Sequence, residues 1–239
     1  MIFHPALVLI LGALLLPFLP GRWRNHVTIA LPAVALALIA AMPNETTNHW
    51  QVTWLAGFGD LTLLRIDKLA KAFGFIFTFH VKDNTQHTSA LIYIGSALGA
   101  VFAGDLITLY IFWEIMAVAS TMLILARRSK QSMGSGLRYI LVHILGGLFF
   151  LAGIVLTYHH SGSLAFDGFD PATQKHAGTW LILLGFLVNA AAPPFSAWLS
   201  DAYPEATVTG SVILSAYTTK TAVYALIRGY PGWEILITV

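Results

Sequence analysis

Glu114 is the residue of this sequence best suited to carry charge inside a membrane. It stands in the apolar segment LYIFWEIMA (109–117), and its nearest charged neighbours in the chain are more than two helical turns away on either side. A carboxyl group at that depth is costly to ionise, so its protonation depends on desolvation and on nearby positive charge. We interpret Glu114 as a carrier of protons or cations; the alternative is a structural pair with a neighbouring helix.

Lys220 is the corresponding basic residue, in the segment YTTKTAVYALIR. Tyr217 and Tyr224 precede and follow it at spacings of three and four residues, which predicts that all three share a helix face. A buried lysine changes its protonation readily when it is desolvated, whereas a lysine near a helix end snorkels to the interface. We favour the functional interpretation. A second polar stripe, at a spacing of four residues, comprises Ser211, Ser215 and Thr219.

Arg138 and His143 occupy the long apolar stretch between these two residues. Arg138 lies near the predicted start of a helix, where an interfacial anchor is expected. His143 lies deeper and four residues after Tyr139; it is either a proton relay or a bundle histidine with satisfied hydrogen bonds.

The segment from Asn189 to Pro194 interrupts an otherwise continuous apolar run. Pro193 and Pro194 remove two amide donors, which predicts a broken helix. Such breaks at membrane depth are tolerated only where protein or water satisfies the freed carbonyls, and in transporters they mark ion sites. The alternative is an ordinary proline kink, but the adjacent Asn189 favours an ion path.

The composition predicts a polytopic membrane protein of the all-α class. Of 239 residues, 57% are hydrophobic and 10% are charged, against roughly 25% charged in soluble domains. The net charge of +2 is too small for nucleic-acid binding, cysteines are absent, and neither nucleotide-binding glycine motif occurs. His159 and His160 have no companions at metal-ligand spacing. We therefore expect no cofactor, no metal and no nucleic-acid partner.

Apolar runs predict a transmembrane helical bundle of about eight helices in a single domain, residues 1–239, including one short and one broken helix. The predicted helices are Phe3–Leu19, Val27–Met42, Leu69–Val81 (short), Thr88–Ala103, Leu106–Ala126, Leu137–Tyr158, Trp180–Leu199 (broken) and Thr207–Ile227.

Basic residues in the loops predict the orientation. Arg22 and Arg24 follow the first helix, and another basic cluster begins at Arg127. Both loops are cytoplasmic only if an even number of crossings separates them, which requires that Leu69–Val81 crosses. The N-terminus is then non-cytoplasmic, and the segments 44–67 and 161–178 form external loops.

Three motifs in a fixed order resemble the antiporter-like membrane subunits of Mrp-type sodium/proton antiporters and respiratory complex I. They are LYIFWEIM (109–116), GFLVNAAAPPFSAWLSDAYPEA (185–206) and TTKTAVYALIRGYPG (218–232). Within the second motif, the stretch PFSAWLSDAYPEA (194–206) is most similar to the D-type Mrp subunit. The resemblance implies proton conduction through Glu114 and Lys220 along a hydrated mid-membrane path, no bound cofactor, and assembly with other membrane subunits in the cell (inner) membrane.

The sequence also departs from that family. Asn189 stands where a lysine is common, and Ser196 where a histidine is frequent, so Glu114 needs another partner, for which Arg138 is a candidate, or is neutral. The chain covers only the N-terminal half of the family's proton-conducting domain. Three functions are consistent with these observations. The first is a half-subunit that conducts H⁺ in a Na⁺/H⁺ antiporter. The second is a proton-pumping subunit of a complex I-like oxidoreductase or membrane hydrogenase, with redox catalysis in other chains, and the third is a truncated, non-conducting structural copy.

Overall fold

The computed structural model describes residues 3–55, 59–76, 86–171 and 176–233. Nine α-helices and one antiparallel hairpin lie in these ranges, which confirms the predicted all-α bundle and comes close to the predicted helix number. The helices are α1 Pro5–Leu15, α2 Gly21–Ala41, α3 Lys68–Ile76, α4 His87–Phe102, α5 Leu106–Leu125, α6 Lys130–Ser161, α7 Ala177–Ala190, α8 Ala197–Ala202 and α9 Val208–Gly229, and the strands are β1 Thr47–Leu55 and β2 Gly59–Ile66.

Three described helices are long and apolar enough to cross a membrane: Arg22–Ala41, Leu106–Leu125 and Lys130–Ser161. α1, α4 and α7 are shorter but also apolar. Large apolar side chains on the outer face of α6, such as Leu141 and Leu148, are more than half exposed, as expected where lipid replaces water. The chain is an integral membrane protein.

The stretch from Asp67 to Gln86 connects opposite ends of the bundle. Asp67 pairs with Arg228 at the end of α9, whereas the Gln86 side-chain oxygen accepts a 2.8 Å hydrogen bond from Thr207 at the start of α9. α9 has 22 residues and is therefore about 33 Å long. The two described ends of this stretch therefore lie at opposite ends of α9. Residues 77–81 of the predicted short helix lie outside the described residues, and its crossing stays a prediction.

The segment 44–67, predicted to be external, contains an antiparallel hairpin that the sequence analysis did not predict. β1 and β2 pair antiparallel, with Thr47 opposite Ile66 and Gln51 opposite Thr62. Leu64 and Ile66, on one face of β2, are fully buried, so this face of the hairpin covers the end of the bundle. A search for long apolar runs overlooks this period of two.

Glycines let α6 and α7 approach closely. A Cβ atom on Gly153 would lie 2.7 Å from the Gly178 carbonyl oxygen, and one on Gly185 would lie 2.8 Å from the Gly146 carbonyl oxygen. Small residues at such contacts are typical of membrane helices, where close backbone packing replaces the hydrophobic driving force. The contact fixes the end of α7 against the middle of α6.

Candidate functional site

The buried face of α6 carries the candidate site. Ser135, Tyr139, His143 and the Gly146–Gly147 pair follow one another at spacings of three to four residues, and all of them are buried. Residues with this spacing lie along one side of a helix. α6 therefore presents a line of polar groups that runs from its first turns to the middle of the bundle and stops at the apolar Phe150.

Glu114 reaches this line at Gly147. Its side chain lies against the glycine so closely that a Cβ atom there would collide with Oε1. Oε1 is buried and has no hydrogen-bond partner among the described residues. The absence of a side chain at position 147 thus makes room for the carboxyl group, halfway along α5.

Asn189 reaches the same line at Gly146, one residue away. A Cβ on Gly146 would lie 3.7 Å from the Asn189 amide nitrogen. Asn189 is 1% exposed; its amide nitrogen lies 3.5 Å from the Gly185 carbonyl oxygen, and its Oδ1 is buried without a partner in the described part of the chain. Glu114 and Asn189 therefore lie against neighbouring glycines of one helix.

The predicted break follows Asn189 directly and is confirmed. α7 ends at Ala190, and Ala191 adopts the left-handed conformation with φ of 56°. Trp198 of α8 bridges the break: its indole nitrogen donates a 2.9 Å hydrogen bond to the Val188 carbonyl oxygen. The helix run predicted for Trp180–Leu199 is thus two helices joined by an irregular segment that contains Pro193 and Pro194.

His143 is a buried base. Its Nδ1 lies 2.9 Å from the Tyr139 carbonyl oxygen, which can only accept, so Nδ1 carries the proton and Nε2 keeps a lone pair. Nε2 is buried and has no partner among the described residues. The ring stacks on Tyr139 with centroids 3.9 Å apart and meets the edge of Trp198 at 4.7 Å.

Arg138 opens the line to solvent and does not pair with Glu114. Its Nε and one terminal nitrogen donate to both carboxylate oxygens of Asp201, at 2.7 and 2.8 Å. The arginine holds the pKa of Asp201 below its usual range. The proposed Glu114–Arg138 partnership is therefore wrong, because a bidentate partner on α8 occupies the guanidinium. A cleft of about 630 Å³ surrounds this pair; Lys130, Ser135, Ser200 and Glu205 are among its lining residues.

Aromatic rings close the other end. Phe150 packs edge-on against Trp113 and Phe186, with centroids 5.6 and 4.9 Å away, and Trp113 lies 5.2 Å from Phe186. All three side chains are buried. The polar line thus begins at the Arg138 cleft, and three packed aromatic rings lie beyond its other end.

Lys220 does not join this line. Its side chain is exposed on the outer face of α9, where Nζ donates to the Ser215 carbonyl oxygen at 2.6 Å. Tyr217 and Tyr224 are instead buried, so the predicted common face of the three residues is wrong. The polar stripe lies on the same side as the lysine, since Ser215 is exposed and Nζ is 3.3 Å from the Thr219 hydroxyl oxygen.

Metal-binding side chains do not gather in the described ranges: they contain no group of three His, Cys, Asp or Glu side chains able to hold an ion. His160 stacks on His176 with centroids 3.6 Å apart. Sequence reasoning noted Tyr139 through its spacing of four from His143, but it missed Asp201 and Trp198 as parts of the site.

Comparisons with known proteins agree with this architecture. The family described as "NADH:quinone oxidoreductase/Mrp antiporter, TM" matches residues 103–236, more than half of the chain. The A-type Na(+)/H(+) antiporter subunit of Alkalihalophilus pseudofirmus is 27% identical over 95% of this chain and 33% of its own length. A probable D-type K(+)/H(+) antiporter subunit of Rhizobium meliloti is 31% identical over 63% of this chain and 29% of its own length.

The fold is also found in a solved structure, that of the Mrp complex from Dietzia sp. DQ12-45-1b. One of its chains superposes with a TM-score of 0.81 at 24% identity, over 97% of this chain and 29% of that one. The present chain thus spans about a third of the length of these relatives. It belongs to the family of transmembrane subunits shared by NADH:quinone oxidoreductases and Mrp antiporters.

Proposed function

We propose that this chain forms a proton half-channel in a membrane subunit of a monovalent cation/proton antiporter. The observation that carries the proposal is the one-sided polar line on α6, which connects the Arg138 cleft with the Glu114 carboxyl group and ends at the aromatic cluster of Trp113, Phe150 and Phe186. Family membership supports proton translocation as its task.

Each residue along the line has a separate role in proton transfer. The ion pair of Arg138 and Asp201 holds α8 against α6 and keeps a hydrated, charged mouth. His143 offers a lone pair at Nε2 about one helical turn from Gly147, and Glu114 is the terminal acceptor at membrane mid-depth. Buried polar atoms without protein partners are normally satisfied by water. Water between Nε2 and Oε1 would complete the transfer path.

Lys220 has a separate place in the proposal. The Lys220 amine lies on the exposed face of α9. It therefore transfers protons where this face contacts another helix of the protein, outside the described residues, or another subunit. A lysine left facing lipid would be costly, so such a polar neighbour is expected.

The proposed setting follows from the loop charges. In the proposed orientation the Arg138 cleft lies on the cytoplasmic side and the N-terminus outside the cytoplasm; the basic residues Arg22, Arg24 and the cluster that begins at Arg127 support it. In this arrangement residues 1–239 form one transmembrane domain in the cell membrane, and other membrane subunits complete the Na⁺/H⁺ antiporter. The matches include A-type and D-type subunits, so the D-type assignment rests on residues 194–206 alone.

Proton movement in everted membrane vesicles tests the function. We expect Glu114→Gln to abolish Na⁺-dependent collapse of a pH gradient, because glutamine cannot accept the transferred proton. Glu205→Gln is the matched control, since it removes a carboxylate from the rim of the cleft but not from the path, and it should retain activity. Full antiport in Glu114→Gln would refute the proposal and support a structural copy.

A redox-driven proton pump is the second candidate, because the same family includes NADH:quinone oxidoreductases. The partners decide between the two. Purification of the tagged chain in mild detergent, followed by mass spectrometry, should retain small antiporter membrane subunits. Flavin or iron–sulfur subunits in the same complex would overturn the antiporter assignment in favour of the pump.

A further inference from the structure

Three buried acceptor atoms without donors among the described residues belong to side chains on or beside α6 near the Gly146–Gly147 step. Glu114 Oε1 lies against Gly147, the side-chain amide of Asn189 lies next to Gly146, and His143 precedes the two glycines on α6 by about one turn. Asn189 and His143 are 1% and 2% exposed. Buried acceptors of this kind require either proton donors or a cation.

The end of α7 adds negative potential at this point. The carbonyl groups of Asn189 and Ala190 lack their helical donors, because Pro193 and Pro194, four residues further on, have no N–H group. The C-terminal end of a helix carries a partial negative charge, and in membrane transporters the ends of broken helices coordinate Na⁺. The break therefore leaves two carbonyl groups without helical donors, and the negative end of a helix dipole, beside Asn189.

Positive side chains do not neutralise this region. Arg138 is paired with Asp201, Lys220 is bonded to the Ser215 carbonyl oxygen, and no cation of the described residues lies within ion-pair distance of Glu114. An ionised Glu114 would be an uncompensated charge in a low dielectric, which is strongly unfavourable.

We infer that Glu114 and Asn189 form a binding site for one monovalent alkali cation, with Glu114 Oε1, Asn189 Oδ1 and carbonyl oxygens at the end of α7 as ligands. The inference rests on the proposed function and deepens it, because proton and cation then share Glu114. One carboxylate with neutral oxygens suits a singly charged hard ion. A divalent metal would need the cluster of acidic or histidine ligands that the described ranges do not contain.

Equilibrium binding of ²²Na⁺ tests the site without requiring transport. The protein is purified with its membrane partners, and ²²Na⁺ binding is measured by scintillation proximity with choline as the inert cation and K⁺ and Li⁺ as competitors. The wild type should bind one displaceable ion that Glu114→Gln loses. Glu205→Gln is the matched control and should bind like the wild type, because its carboxylate lies at the cleft rim.

Two substitutions at Asn189 separate charge from shape. Asn189→Lys places an ammonium group where the ion would bind and should weaken binding by more than about tenfold, whereas Asn189→Asp adds a charged ligand and should strengthen it by about tenfold. Both must elute as the wild-type complex in size-exclusion chromatography. If Asn189→Lys does not assemble, the opposite shifts of Asn189→Asp and Glu114→Gln still decide.

The result is independent of the antiport assay. Absence of displaceable ²²Na⁺ in the wild type, or wild-type binding in Glu114→Gln, overturns the cation site even if Glu114→Gln stops proton movement. Conversely, ion binding that depends on Glu114 and Asn189 supports the site even if antiport survives in Glu114→Gln, and then only the proton-path proposal fails.

Discussion

Asp67 holds the hairpin end of the bundle together, and its removal offers a quantitative test. Its carboxylate pairs with the buried Arg228 and lies 3.5 Å from Arg65, while its Oδ1 accepts a 2.8 Å hydrogen bond from the Ala70 amide at the start of α3. The Arg228 side chain is only 6% exposed and lies over the Tyr224 ring at 5.2 Å. Without Asp67, two arginines face each other with one buried.

The expected cost follows from these contacts. Breaking a buried ion pair typically costs about 3–5 kcal/mol, and loss of a helix N-cap costs about 1 kcal/mol. Asp67→Asn removes the charge but keeps a good cap, so it should destabilise by about 3–4 kcal/mol, and Asp67→Ala by about 1 kcal/mol more. Asp167→Asn, which removes the 63%-exposed partner of Arg65, should cost at most about 1 kcal/mol.

Equilibrium unfolding in mixed dodecyl maltoside and sodium dodecyl sulfate micelles measures these differences. The double variant Asp67→Asn with Arg228→Met should recover much of the loss, because it no longer leaves a charge buried. Equal effects of Asp67→Asn and Asp167→Asn would refute the reasoning, since burial would then not govern the strength of the pair.

Three further predictions concern the path and the opposite rim. Gly147→Ala should abolish antiport, because the added methyl group displaces the Glu114 carboxyl group. Gly134→Ala is the control and should retain antiport, since a Cβ there would meet only the Arg138 terminal nitrogen, at 3.4 Å. Equal antiport in the two variants would contradict the placement of Glu114. Burial lowers the pKa of His4 from 6.5 to about 4. The free energy of unfolding should therefore fall by at most about 3 kcal/mol as the pH drops from about 6.5 to 4, because protonation then favours the unfolded chain. In thermal unfolding, His4→Gln should reduce this dependence on pH. His143→Cys, in a chain without other cysteines, should react with a water-soluble maleimide from the cleft side only; labelling from the hairpin side would contradict the aromatic block.

The sequence was sufficient to predict those parts of the site that depend on single residues in apolar surroundings. Glu114, the break at Pro193–Pro194 and the depth of Asn189 follow from the cost of polar groups and the missing proline N–H.

The parts that depend on tertiary distance were not predictable. The Arg138–Asp201 pair joins residues 63 positions apart, and the exposure of Lys220 depends on which side of α9 its neighbours occupy. α6 begins at Lys130, earlier than its apolar run, because Ser129 and Ser132 cap each other's backbone amides. Such a short polar signal is invisible to a search for hydrophobic runs.

The aromatic block has an electrical consequence. In the proposed half-channel, water extends from the cleft to Glu114, so this region stays near the electrical potential of the cleft compartment. Most of the transmembrane voltage then falls across the thin layer formed by Trp113, Phe150 and Phe186. Moving one charge across 100 mV requires about 2.3 kcal/mol. Loading of Glu114 should therefore be nearly independent of membrane voltage, and transfer past the three rings should bear almost the entire voltage dependence of the cycle.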